Sequence, residues 1–330
     1  MRYRSFVDLS QTVQDNLYRI PRDVDLVVGI PRSGLLPANM IALALNLPLA
    51  DIDGFAEGRT LSAGHTRRRD LFDQSIDTYR RILIVDDSVR TGDSMREARQ
   101  KLAHLPNQNR FLFCAIYADQ EAHPDADLVL EAVPMPRVFQ WNFLHRSVAA
   151  QSCFDIDGVL CVDPTREEND DGERYRRFLN DARPLMTPTH RLGHLVTSRL
   201  ERYRPETEAW LRAQGIEYDK LWMLDLPTAE ERRKAGLHGR FKAEVYSRLD
   251  AILFVESEER QAIEIAKLSG KPVLSIETQS IIDPSRSTEL LERLARRAER
   301  LKSRRDRERW FRRLRWISAL RHSVRQRLKG

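Results

Sequence analysis

The sequence predicts an α/β chain: two parallel-sheet domains in series, then a basic helical tail. Three observations predict this. Short, strongly apolar runs alternate with segments of helical spacing, the pattern of strand–helix–strand units. The pattern starts twice, near residue 25 and again near residue 150. The chain has 330 residues, more than the ~100–200 of one compact domain.

In the first half, residues 25–30 (DLVVGI) read as a buried strand that leads into Pro31-Arg32-Ser33-Gly34, and residues 35–45 have helical spacing. Residues 54–70, polar and rich in arginine with Gly54, Gly58 and Gly64, read as a long mobile loop. Residues 81–85 form a second strand, 94–105 a helix and 110–117 a third strand. The boundary falls near residue 148, giving domains over 1–148 and 149–280. The second unit opens on the strand that ends at Asp155 and Asp157. It continues through strands at 192–197, 216–224, 251–255 and 271–276, with helices at 204–214 and 258–268. Residues 165–190 are charged and poorly patterned, so they read as an insertion or loop. The tail, 281–330, reads as one or two helices.

Composition narrows the function classes. Hydrophobic residues make up 41% of the chain, enough for ordinary cores and too much for a disordered protein. No apolar run approaches the ~20 residues of a membrane-spanning helix. The opening MRYRSFVDLS lacks the apolar core of a signal peptide. Cys114, Cys153 and Cys161 form neither a disulfide framework nor a zinc pattern, so a reduced, cytoplasmic compartment is expected. Residues 286–330 hold 17 Lys/Arg against 5 Asp/Glu, a net of +12, so residues 1–285 carry −6 of the chain's net +6. The high pI therefore belongs to the tail, and nucleic acid is not an expected partner of the body.

The segment ILIVDDSVRTGDS, residues 82–94, carries the first chemistry. A buried strand delivers Asp86 and Asp87 to its C-terminal edge, where open α/β sheets bind ligands. The loop Thr91-Gly92-Asp93-Ser94 then opens a helix, and its N–H groups and hydroxyls suit a phosphate monoester. The two acids suit the cis hydroxyls of a ribose, or a metal held on them. This string resembles the signature of type I phosphoribosyltransferases, which bind phosphoribosyl pyrophosphate (PRPP). Gly29 to Gly34, with Arg32 and Ser33, sits where that family has its pyrophosphate loop. Residues 54–68, with Arg59 and His65, sit where it has a closing loop. The resemblance implies that Mg²⁺, backbone N–H groups and Arg32 neutralise the departing pyrophosphate, and that Asp93 turns away from the phosphate. Candidate acceptor-binding segments are residues 3–18 and 138–146, with Trp141 and His145.

The segment FDIDGVL, residues 154–160, places two carboxylates two residues apart just past a strand. A carboxylate nucleophile with a neighbouring acid/base can split phosphate-ester hydrolysis into two steps. The string resembles motif I of the haloacid dehalogenase (HAD) superfamily. Thr197 in LVTS, Lys242 in RFKAE and Glu256 in ILFVESE follow in the family's motif order. The resemblance implies a Rossmann-like type I phosphoribosyltransferase fold followed by a HAD-like phosphatase fold. It makes Asp155 the nucleophile, Asp157 the general acid/base, and Thr197 and Lys242 the groups that hold the phosphoryl; Arg240 and Lys234 are alternatives to Lys242. Asp155, Asp157 and Glu256 would bind Mg²⁺, although the family commonly has Asp at the last place, so Glu256 and Glu258 are rivals. The short insertion after motif I leaves little room for a cap, which suits a bulky phosphate ester.

In the tail, Trp310, Leu314, Ile317, Leu320, Val324 and Leu328 follow helical spacing among arginines. That is the pattern of an amphipathic helix on an anionic membrane surface. A transferase that leaves a 5-phosphate, joined to a phosphatase that removes it, resembles the PRPP-dependent ribofuranosyltransferase systems of bacterial polysaccharide biosynthesis. The expected partners are PRPP, a glycan or lipid-linked glycan acceptor, the inner face of the cytoplasmic membrane, and a second copy as a homodimer. Two alternatives stand beside this: nucleobase salvage with a nucleotide phosphatase, and a non-enzymatic PRPP-sensing or RNA-binding regulator.

Overall fold

The computed structural model describes residues 1–61, 75–226 and 238–285. The tail beyond residue 285, His65 and Lys234 lie outside the described residues.

The first half runs β1 (Arg2–Arg4), α1 (Phe6–Asn16), β2 (Leu26–Gly29), α2 (Leu35–Leu45), β3 (Leu49–Asp51), α3 (Ile52–Ala56), β4 (Ile82–Ser88), α4 (Asp93–Leu102), β5 (Phe111–Ala118), β6 (Leu128–Ala132) and β7 (Arg137–Phe139). Five strands form one parallel sheet in the order β3-β2-β4-β5-β6. Continuous apolar runs such as ILIV and FLFCAI suit it, because helices and connections cover both faces of a parallel sheet. Along β4 the side chains alternate between two cores: Ile82 and Ile84 join one, Leu83 and Val85 the other. The end of α2 agrees with the helical spacing of residues 35–45, and Asn46 closes it in the left-handed conformation, φ 56°. Helix α1, which the sequence pattern left unassigned, begins in a capping box in which Ser5 and Asp8 satisfy each other's backbone N–H.

The second half runs β8 (Ser152–Phe154), α5 (Glu173–Asp181), β9 (Leu192–Leu200), α6 (Arg204–Ala213), β10 (Tyr218–Leu224), α7 (His238–Arg248), β11 (Leu253–Glu256), α8 (Glu259–Ser269), β12 (Val273–Ser275) and β13 (Ser280–Ile282). The strand order is β10-β9-β8-β11-β12-β13. All pairs are parallel except β12 with β13. Strand β8 thus lies at the centre, with β9 and β11 on its flanks. Residues 165–190 hold α5 rather than loop alone. Its Tyr175, Phe178 and Leu179 are buried at helical spacing against the core.

The two halves share a seam. Within the first half, strand β1 pairs in parallel with β7 across some 135 residues of chain, and residues of this pair and of the segment after it meet the second half. Tyr3, Val138, Phe143 and Leu144 pack into the core built by β8, β9 and α5. The Tyr3 hydroxyl donates to Gln279 Oε1 at 2.6 Å.

Candidate active sites

At the end of β4, successive side chains point to opposite faces. The Asp86 and Asp87 side chains nevertheless stay in hydrogen-bond contact with each other. Asp86 lines a cavity of about 280 Å³ with the loop 88–94 and, from the other side, Arg137, Asn142 and Arg146. Burial pushes the Asp86 carboxyl well above the usual carboxylate range, the Asp87 charge adds to this, and Arg146 opposes it. Asp87 does not line that cavity. Ser33 Oγ donates to its Oδ1 at 2.7 Å and Trp141 Nε1 to its Oδ2 at 2.7 Å. Of the two acids, Asp86 lines the cavity and Asp87 lies against it.

Thr91, Gly92, Asp93 and Ser94 line the same cavity at the start of α4. Gly92 has φ +81°, and a Cβ there would meet Asp125 at 1.8 Å, so the turn requires glycine. The Asp93 carboxylate accepts from Thr91 Oγ1 at 2.5 Å and from Arg96 at 2.6 Å. These bonds hold its pKa below the usual range and offset its charge within the loop. Gly34 lies against β4: a Cβ would stand 2.6 Å from the Ile30 carbonyl and 2.7 Å from that of Val85. That close approach packs the loop with Arg32 and Ser33 beside Asp86. The Pro31–Arg32 peptide is cis, and Arg32 is exposed. Of the acceptor candidates, Trp141 reaches Asp87, whereas His145 Nδ1 meets Thr189 Oγ1 at 2.8 Å and so faces the second half.

The second cavity, about 370 Å³, lies over the ends of β8 and β9. Asp155, Asp157, Thr197 and Lys242 line it, as do Asp163, Ser257 and Glu258. Lys242 is buried and donates to Asp155 Oδ2 at 2.6 Å, Glu256 Oε2 at 2.7 Å and Gln261 Oε1 at 3.1 Å. Burial pushes Asp155 up to about 7; the Lys242 ammonium opposes the shift, and the Glu256 and Asp157 charges add to it. Burial alone would lower Lys242, but its two carboxylate partners hold it charged. Of the alternatives to Lys242, Arg240 is exposed on α7.

Two residues of this cavity region escaped the sequence reading. Arg199, buried at the end of β9, grips Asp157 through Nη2 at 2.6 Å and Nε at 3.2 Å. Its only signal was its place in the run Thr197-Ser198-Arg199. Asp163 is pushed above the carboxylate range by burial and then by the charges of Asp157, Glu258 and Glu256.

Residues 7–118 match the family model of the phosphoribosyl transferase domain. The chain carries a phosphoribosyl transferase domain. That domain holds the Gly34 loop, Asp86, Asp87 and the loop at Thr91, and the match ends where β5 ends. Among solved structures, the Helicobacter pylori xanthine-guanine-hypoxanthine phosphoribosyltransferase is similar at 17% identity over 42% of this chain and 92% of its own, with a TM-score of 0.32. A purine phosphoribosyltransferase from Pyrococcus horikoshii Ot3 is similar at 18% identity over 43% and 93%, TM-score 0.30. A chain of the Pnkp1/Rnl/Hen1 RNA repair complex aligns at 14% identity over 83% of this chain and 94% of its own, TM-score 0.26. No curated protein matches the chain.

The expected Mg²⁺ ligands differ in their access to the cavity. Glu256 is fully buried; Lys242 takes its Oε2, and the Ser257 N–H takes its Oε1 at 2.9 Å. It lies behind the cavity wall, because the longer glutamate side chain folds back onto the lysine. Among the described residues no three acidic, His or Cys side chains converge as a ready cage. The donors that do face the cavity, Asp155, Asp157, Asp163 and Glu258, are the hard oxygens that Mg²⁺ takes.

Proposed function

We propose that the chain is a bifunctional ribofuranosyl-transfer enzyme. The phosphoribosyl transferase domain moves the 5-phosphoribosyl group of PRPP to an acceptor hydroxyl on a lipid-linked bacterial polysaccharide. The second unit, HAD-like in its motifs, then removes the 5-phosphate. The observation that carries this reading is the presence, in one chain, of two cavities at the strand ends of two parallel sheets. One offers a phosphate loop beside a ribose-facing acid, the other a buried Asp155–Lys242–Glu256 triad.

In the first cavity, the N–H groups and hydroxyls of Thr91, Gly92 and Ser94 receive the 5-phosphate at the start of α4. Asp86 takes a ribose hydroxyl. Arg32, Ser33 and Gly34 present the pyrophosphate loop, which neutralises the leaving group as positive charge develops on the ring. In-line displacement at the α-configured C1 gives a β-linked product.

In the second cavity, Asp155 attacks the phosphorus and forms an aspartyl phosphate. Asp157 gives a proton to the departing sugar oxygen and then takes one from the water that releases phosphate. Lys242 and Thr197 hold the phosphoryl oxygens. Mg²⁺, held by Asp155 and the Asp157 main-chain carbonyl with help from Asp163 or Glu258, supplies charge neutralisation when bound. The net +12 of residues 286–330 suits anionic lipid on the inner face of the membrane, where lipid-linked glycans are built.

The test uses Asp155→Asn, ribose-labelled PRPP, Mg²⁺ and lipid-linked glycan. Label in the lipid fraction, carrying a phosphate that the wild-type chain removes, is the expected result. Label that appears only in nucleotides once bases are added overturns the glycan reading in favour of salvage.

A further inference from the structure

We propose that Arg199 is a positioning residue of the second cavity: it clamps one oxygen of Asp157 from behind, so that the other oxygen is the one presented to the ester. The proposal rests on reading that cavity as the phosphatase site, with Asp157 as its acid/base.

Arg199 comes from the end of β9, two residues past Thr197 and so on the same side of the strand. It is 1% exposed and reaches Asp157, which lines the cavity, from within the fold. Every part of its guanidinium is engaged. Nη2 donates to Asp157 Oδ1 at 2.6 Å and to Cys161 Sγ at 3.3 Å, and Nη1 donates to Thr207 Oγ1 at 3.4 Å. Nε lies 3.2 Å from both Asp157 oxygens. The turn after β8 and helix α6 thus hold the head group from two directions. A planar fork in that position fixes the plane of the carboxyl as well as its charge.

The two Asp157 oxygens are held unequally. Oδ1 accepts from Nη2, from Nε and, at 3.5 Å, from the Cys161 thiol. Oδ2 has only the long bond from Nε among the described residues, and 19% of the Asp157 side chain is exposed. Oδ2 is therefore the oxygen left for proton transfer. As Asp155 bonds to phosphorus and the bond to the sugar oxygen breaks, the proton on Oδ2 passes to that oxygen. The charge left on Asp157 falls on a guanidinium already in place, which needs no reorganisation. When water then bonds to phosphorus and the Asp155–phosphate bond breaks, the proton of the water returns to Oδ2. Without Arg199 the carboxyl is free to turn, and Oδ2 leaves the line of the departing oxygen.

The test compares kcat/KM for two esters on the full chain with Mg²⁺. The phenolate of p-nitrophenyl phosphate leaves without a proton, whereas the alkoxide of ribose 5-phosphate needs one. The ratio of the two values reports the departure step and does not depend on how much of a variant is folded. Asp157→Asn should raise the ratio of nitrophenyl to ribose ester about 100-fold or more, as loss of a general acid does. Arg199→Gln should raise it about tenfold or more through misplacement alone. The double variant should match Asp157→Asn, because Arg199 acts through that carboxyl. Equal losses for both esters in Arg199→Gln, or a further rise in the double variant, overturn the proposal. A second readout needs no turnover. Asp157→Asn should shift the melting temperature less in the Arg199→Gln background than in wild type, because the charge pair is already gone; equal shifts overturn the clamp. A wild-type chain that hydrolyses neither ester nor the phosphorylated lipid fraction, while the melting shifts stay coupled, overturns the phosphatase reading and leaves the clamp standing.

Discussion

Lys242 donates to Glu256 at 2.7 Å in a place where the two side chains are 2% and 0% exposed. The same ammonium reaches Asp155 at 2.6 Å. One buried cation therefore serves two buried carboxylates, and each member depends on the others for its charge.

Removing the cation should be costly. Lys242→Met leaves Asp155 at the cavity wall and Glu256 behind it without their cation, and breaking a buried pair in this way costs about 3–5 kcal/mol. Denaturant unfolding of the variant and wild type measures it. A loss below about 1 kcal/mol would mean that the triad is not an ion-paired unit.

Glu256→Gln separates two roles for that side chain. If Glu256 serves Lys242, phosphatase turnover should fall while the Mg²⁺ concentration for half-maximal activity stays within about twofold of wild type, since a lost ligand costs roughly 10-fold or more in metal affinity. A large rise in the Mg²⁺ requirement would return Glu256 to the ligand set. Glu258→Gln, by contrast, should raise it.

Gly34→Ala should damage the first cavity. The added methyl meets backbone carbonyls at 2.6 and 2.7 Å, and neither can yield without moving the end of β4. Overpacking of this kind costs about 1–3 kcal/mol, and PRPP binding should fall with it. Thermal melting and calorimetry check both effects; a variant with wild-type values in both would show that the loop does not rest on β4.

Asp86→Asn should stabilise the chain near neutral pH. The folded state raises this carboxyl above its ordinary 3.8, chiefly through burial and then through Asp87. Its stabilising contribution is complete below pH 3.8 and is lost as pH rises through the raised value. Near neutral pH the unfolded chain holds this carboxylate in water while the folded chain buries the group, a cost that asparagine avoids. The variant's melting temperature should exceed that of wild type by a few degrees at pH 7, and the gap should close toward pH 4. A gap that does not change with pH would refute the assignment. Activity should be lost at every pH.

The strands that hold the sites were legible because parallel strands are apolar on both faces. The runs through Val28, Ile84 and Phe154 stand out without any knowledge of their partners. The acids that follow them were legible for the same reason, since polar groups directly after such runs mark a sheet's ligand edge. The seam was not legible. Strands β1 (RYR) and β7 (RVF) are three residues each, and they pair with each other across some 135 residues of chain. Helix α5 was hidden because Tyr175, Phe178 and Leu179 are its only core contributions among charged neighbours. The grip of Arg199 on Asp157 was not legible, because it depends on how β9 lies beside β8.

The place of Tyr3 has a mechanical consequence. The third residue of the chain is packed with Phe143, Leu160 and Tyr175 and is bonded to Gln279. A cut near residue 148 would therefore strip aromatic rings from the core of one fragment and lay them bare on the other. Heating should melt the two halves in a single calorimetric transition. Exchanging the second half for a foreign one would have to preserve the surface that receives Tyr3 of strand β1.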